Sequence, residues 1–157
     1  MTPFDRALAF VLAHEGGDVD DPHDPGGRTR FGISQRAYPR EDIGALTRDR
    51  AAELYRRDYW TPLHCDDLPW PVALALFDTA VNCGVQRAIR LAQRAVGVPE
   101  DGLYGPQTRA ALQVAPQVAA TRLLAQRACH YASLPTVGRF GVGWFLRVLD
   151  CAREGAA

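Results

Sequence analysis

Lysine is absent from this chain, and all 18 of its basic residues are arginine. The acidic residues also number 18, so the formal net charge is zero. A neutral chain has no bulk attraction to nucleic acid or to an anionic membrane surface. With the abundant alanine, the missing lysine reads as the coding bias of a GC-rich genome rather than as a functional device. Long apolar runs are missing too, so no stable membrane insertion is expected. Cysteine is sparse: Cys65, Cys83, Cys129 and Cys151 are too few for a disulfide scaffold. Buried reduced thiols are the default, with one disulfide formed on export as the alternative. These cysteines and His14, His23, His64 and His130 show no CxxC or HExxH spacing. No metal and no cofactor is therefore expected. The opening residues MTPFDRALAF place Asp5 inside a periodic apolar pattern, and no small-residue cleavage site follows. A cleavable signal peptide is not expected.

What is present suits one soluble domain. The 157 residues are 47% apolar and 23% charged, enough for a sizeable core. Helical periodicity dominates. Thr2 can cap a first helix with Pro3 at its first position and Asp5 three after the cap. Phe4, Ala7, Leu8, Val11 and Leu12 then form one apolar stripe.

The informative stretch is 14 to 33, HEGGDVDDPHDPGGRTRFGI. It holds five carboxylates in ten positions: Glu15, Asp18, Asp20, Asp21 and Asp24. Gly16, Gly17, Gly26, Gly27 and two prolines interrupt regular structure there. Acids crowded into a constrained loop repel one another, a conflict that points to function. Calcium through oxygen ligands is the competing explanation, but the Asp-x-Asp-x-Asp-Gly spacing is missing. Glu15 falls at the C-terminus of the first helix, where the dipole disfavours an ionised carboxylate. Partial burial against the apolar stripe pushes the same way. A carboxyl kept protonated is suited to general-acid chemistry, and glycosidic cleavage usually needs a second carboxyl across the bond. The acidic loop can supply it.

On HEGG, DPHDPGG and RTRFGI in that order, the chain resembles glycoside hydrolase family 108, bacterial and phage N-acetylmuramidases in which HEGG carries the catalytic Glu. It is also similar to the phage-lysozyme order of Glu, Asp and Thr ahead of a Gly-Ile turn, with Asp24 and Thr29 one residue closer than in phage lysozymes. The resemblance implies a mainly α, lysozyme-like fold with a short β-hairpin or loop after the first helix. It implies Glu15 as general acid, Asp24 to stabilise developing charge or activate water, and Thr29 to orient that water. Asp21 is the rival for the Asp24 role, and His14 a supporting residue. Asp21, Arg28, Tyr59, Asn82 and Trp144 are the candidate substrate contacts. The implied partner is the peptidoglycan glycan strand, cut at the β-1,4 link between N-acetylmuramic acid and N-acetylglucosamine. A monomer reaching the wall by holin release or a secretion machine fits. A lytic transglycosylase leaving 1,6-anhydro ends, and a non-catalytic wall-binding or secretion-associated protein, are the alternatives.

The rest of the chain reads as helices. Thr47 caps one whose face holds Ala51, Leu54, Tyr55 and Tyr59 and which Trp60 ends; Asp58 on it is expected to pair with an arginine. Phe31 to Ala37 reads as an edge strand or hairpin arm, and 61–70 as a connector. Helices follow over about 71–82, 85–96, from Pro106, and 117–133. Asp78 and Asn82, four apart, can reach a common partner. SLPTVGRFGVG reads as a turn before a last helix over 144–153, on which Arg147 either braces a carboxylate or is exposed. FDTAVNCG, LAQRAVGV and DGLYGPQTRAAL resemble the peptidoglycan-binding segment that follows the catalytic part in family 108, and FGVGWFLRVLD resembles the family's C-terminal Gly-Trp…Arg signature. One compact domain over 1–157 is expected, with its catalytic part in 1–65 and the helical, wall-binding-like part in 66–153.

Overall fold

The computed structural model describes residues 1–15 and 28–157. The candidate carboxylates Asp21 and Asp24 lie outside the described residues. The chain divides into two compact units, Met1–Asp58 and Tyr59–Ala157. Among the described residues there are seven α-helices and one two-stranded hairpin, a mainly α, lysozyme-like architecture.

In the first unit α1 spans Pro3–His14. Its start is a reciprocal cap: Asp5 N–H donates to Thr2 Oγ1 at 3.1 Å, and Thr2 N–H donates to Asp5 Oδ2 at 2.9 Å. Phe4, Ala7, Leu8 and Val11 are buried, so the stripe faces the core. The hairpin pairs β1, Thr29–Arg30, with β2, Ile33–Ser34. Phe31 is thus part of the reversal rather than of a strand. The backbone sets this: φ is +51° at Phe31 and +74° at Gly32. Two successive positive φ values make a tight turn whose twist matches that of the strands. A single 3₁₀ turn, Ile43–Ala45, follows, with Asp42 Oδ1 accepting from Ala45 N–H. Helix α2, Arg48–Tyr55, begins at a Thr47 cap and buries Ala51, Leu54 and Tyr55. It does not run on regularly to Trp60. One wider π-turn, Arg56–Trp60, replaces its last turn. That inserted step rotates Trp60 fully inward and leaves Tyr59 half-buried. Asp58 pairs with Arg57 at 2.7 Å and accepts from Tyr38 O–H at 2.8 Å. The Arg57 guanidinium, helped by Tyr38, holds the Asp58 carboxyl below the usual carboxylate range.

The second unit is a helical bundle. The 3₁₀ turn Cys65–Asp67 leads to α3, Trp70–Cys83, then α4, Val85–Val96. Trp60 is anchored inside this unit: its Nε1–H donates to Asp66 Oδ1 at 2.9 Å and its ring meets Phe77 edge-on. Helices α5, Pro106–Val114, and α6, Pro116–Ala132, each open on a proline, which loses no hydrogen bond at a first helical position. The DGLYGPQT loop is held by Gln93, which is 1% exposed. Its side chain accepts from Gly102 N–H and donates to Asp101 Oδ1 and to the Leu103 carbonyl.

Helix α7 spans Val137–Gly155, so most of the expected turn SLPTVGRFGVG is helix. Each mid-helix glycine costs only about 1 kcal/mol against alanine. Packing offsets this: Trp144 stacks on Tyr131 with ring centroids 5.0 Å apart, and Val148 and Cys151 are buried. The end of α7 is tied to the start of α3, where Trp70 Nε1–H donates to the Glu154 carbonyl at 3.1 Å. No helix among the described residues is long and apolar enough to cross a membrane.

All four cysteines are free thiols. Burial pushes Cys65 and Cys151 well above the usual thiol range. In native protein at neutral pH, a thiol reagent is therefore expected to label Cys129 first and Cys65 and Cys151 last. Mass spectrometry of the labelled peptides checks the order; rapid labelling of Cys65 or Cys151 would contradict the packing around them.

Candidate active site

Glu15 is the C-terminal cap residue of α1. Its N–H donates to the Val11 carbonyl at 2.9 Å, and its own backbone is already extended at φ −77°, ψ 128°. The helix therefore stops at Glu15 and aims the side chain away from the helical ladder. What that side chain meets is the hairpin reversal. A Cβ placed on Gly32 would lie 2.7 Å from Glu15 Cγ, 3.0 Å from Glu15 Cβ and 2.6 Å from Tyr55 Oη. Glycine is required there twice over, by its positive φ and by lack of space. Glu15 is half-buried, with its methylenes pressed on the bare backbone of the turn.

The hairpin is held from both sides by hydrogen bonds from side chains and backbone. Tyr55 O–H donates to the Phe31 carbonyl at 3.0 Å. Arg30 Nη1 donates to the Gly44 carbonyl at 2.9 Å, tying β1 to the 3₁₀ turn. Gln35 N–H donates to the Arg28 carbonyl, and its Nε2 donates to the Tyr38 and Glu41 carbonyls. The Tyr55 bond supports Phe31 in a left-handed conformation that costs a non-glycine residue roughly 1–2 kcal/mol. The hairpin is thereby a fixed wall beside Glu15 instead of a loose loop.

The other candidates fall in several places. Thr29 is half-buried in β1, three residues before Gly32, and pairs across the hairpin with Ser34. The next pair of the hairpin, Arg30 and Ile33, occupies the other face, where Ile33 is 3% exposed, so Thr29 and Ser34 face away from that core. Arg28 is exposed at the foot of the hairpin, its guanidinium lying over Gly44, where a Cβ would come within 2.5 Å of Nη1. His14 Nδ1–H donates to the Phe10 carbonyl at 2.9 Å while the ring packs on Phe10. That bond fixes the proton on Nδ1 and turns the ring back along α1.

Tyr59, Asn82 and Trp144 belong to the second unit. Trp144 is half-buried between Tyr131 and Phe140. Asn82 is exposed, and its Nδ2 donates to the Asp78 carbonyl of its own helix at 2.8 Å. Among the described residues Asn82 and Asp78 therefore share no side-chain partner. The Asp78 carboxylate turns inward, accepting from Arg127 at 2.5 Å and from Arg147 at 2.7 and 3.0 Å. Arg147 does brace a carboxylate, and all three groups are buried. Among the described residues no cluster of three His, Cys, Asp or Glu is placed to hold a metal ion.

Sequence reasoning missed Tyr55, which sits on an apolar stripe and reads as core. Its signal was the hydroxyl itself, since a buried tyrosine usually finds a partner for its O–H.

The profile of the family described as glycosyl hydrolase 108 matches residues 8–84, a span that contains Glu15, the hairpin and Tyr55. Among solved structures the chain is similar to Brucella abortus SagA, with 35% identity and a TM-score of 0.85. The match covers 98% of this chain and 93% of that one. No protein of curated function matches.

Proposed function

The chain belongs to glycosyl hydrolase family 108, and from that premise we propose that it hydrolyses the β-1,4 link between N-acetylmuramic acid and N-acetylglucosamine in peptidoglycan, with Glu15 as general acid. The supporting observation is the placement of Glu15: a carboxyl at a helix end, its stem pressed on a rigid glycine turn. General-acid catalysis needs such fixing, because the proton must already lie along the line to the leaving oxygen.

In this reading Glu15 protonates the glycosidic oxygen as the bond to C1 breaks. Positive charge develops on the sugar ring, and Asp24 stabilises it or activates water, with Asp21 as the alternative carboxylate. Thr29, on the outward face of β1, orients that water. Arg28 at the foot of the hairpin offers hydrogen bonds to the sugar, and Tyr59, Asn82 and Trp144 are further candidate contacts for the glycan strand. Widely separated carboxyls would invert the anomeric centre, and close ones would retain it. The protein would act on the wall as a monomer, after export or release.

The two carboxylates are distinguished by rank. Asp24→Asn is expected to slow clearing of purified peptidoglycan less than Glu15→Gln does. A general acid has no substitute in this mechanism, whereas charge stabilisation is shared with other groups in the site. Turbidity decay at equal concentrations of folded protein measures it. The reverse order would transfer the general-acid role away from Glu15.

A further inference from the structure

We propose that Tyr55 is a positioning residue for Glu15, acting through the Phe31–Gly32 turn. The inference rests on Glu15 being the general acid. Tyr55 is 2% exposed, so its hydroxyl arrives at the turn from inside the first unit. It donates to the Phe31 carbonyl at 3.0 Å, at a residue held at φ +51°. The same oxygen and Glu15 Cγ lie within 2.6 and 2.7 Å of one point, the place a Gly32 Cβ would occupy. Three parts therefore define one position: the tyrosine fixes the turn, the bare Gly32 surface receives the glutamate stem, and the tyrosine oxygen limits how far that stem can swing. Helix α2 thus reaches the candidate acid although it supplies no group to the substrate.

Without the hydroxyl, the left-handed Phe31 loses the bond to its carbonyl and the turn can relax. Glu15 would keep its chemistry and lose its alignment. Misplacement on the ångström scale slows a positioned reaction by up to about a hundredfold. Binding of the sugar, which Tyr55 does not touch in this account, should change little.

The test compares wild type, Tyr55→Phe, Gly32→Ala and Glu15→Gln on a soluble uncrosslinked glycan fragment of peptidoglycan, well below each thermal midpoint. Tyr55→Phe keeps the ring and removes only the oxygen. Its kcat is expected to fall about tenfold or more, with KM within about twofold. Gly32→Ala drives a methyl into the space of Glu15 Cγ and should lower kcat at least as much. A merely structural tyrosine would lower the midpoint and leave kcat per folded molecule unchanged, and that result would overturn the proposal. Should Tyr55→Phe fail to fold, folded Gly32→Ala decides, and full activity there would overturn it equally. If Glu15→Gln keeps its activity, the general-acid reading has failed and the role of Tyr55 falls with it. If Glu15→Gln is inactive while Tyr55→Phe is fully active, only the positioning role is lost.

Discussion

Replacing Asp78 with alanine is expected to destabilise the helical second unit by about 3–5 kcal/mol. Asp78 on α3 is fully buried and is shared by two arginines from two other helices, Arg127 on α6 and Arg147 on α7. Arg127 is fully buried as well, and its Nε donates to the Tyr131 hydroxyl at 2.8 Å. Burial pushes the Tyr131 phenol up to about 12, so it accepts that bond as a neutral group. With Asp78 removed, two guanidinium groups stay in a low-dielectric interior without the carboxylate that compensates them. Their desolvation is then unopposed, and this is why breaking such a group costs far more than a surface ion pair. Asp78→Asn should also be severe, because it keeps the shape and removes the charge. Whole domains are stable by only about 5–15 kcal/mol, so either change should lower the unfolding midpoint in urea visibly. An Arg50→Ala control breaks exposed pairs with Glu41 and Glu53 and should cost about 1 kcal/mol or less. A loss of that small size at Asp78 would mean the triad does not hold the three helices together.

Glu15→Gln is expected to lower the rate of peptidoglycan cleavage by about 10²- to 10⁴-fold, the range that a positioned proton donor supplies. Glutamine keeps the two methylenes that rest on Gly32, so packing at the turn is preserved. The thermal midpoint should stay nearly unchanged or rise, as expected when an acidic site is relieved of strain. A sharply lower midpoint would make Glu15 a structural residue whose loss only mimics catalytic failure.

How legible this molecule was depends on whether a residue's partner is near it in sequence. Helices α1 and α4 were readable because their signals are local. A Thr cap and a 3.6-residue stripe mark α1, and a stripe closed by Gly97 marks α4. The position of Glu15 at the helix end was readable for the same reason, since it stands where the stripe ends. Residues Phe31 and Gly32 were harder. The FGI run signals a turn, but the carbonyl of Phe31, at positive φ, takes its bond from Tyr55, twenty-four residues away. The glycines of α7 pointed to a turn, and the packing that favours helix there, Trp144 on Tyr131 with Val148 and Cys151 buried, comes from residues distant in sequence or later in the helix. The Asp78 triad joins three helices across up to 69 positions, so a local reading could set Asp78 beside Asn82 toward a common partner but could not find Arg127 and Arg147, which its carboxylate meets.

The most direct measurement is digestion of purified peptidoglycan by wild type and by Glu15→Gln, with the products identified by mass spectrometry. The account predicts reducing N-acetylmuramic acid ends from wild type and none from Glu15→Gln. Anhydro ends would replace hydrolysis with transglycosylation and remove the water-directing roles of Asp24 and Thr29. Equal cleavage by both proteins would contradict the central claim that Glu15 is the acid.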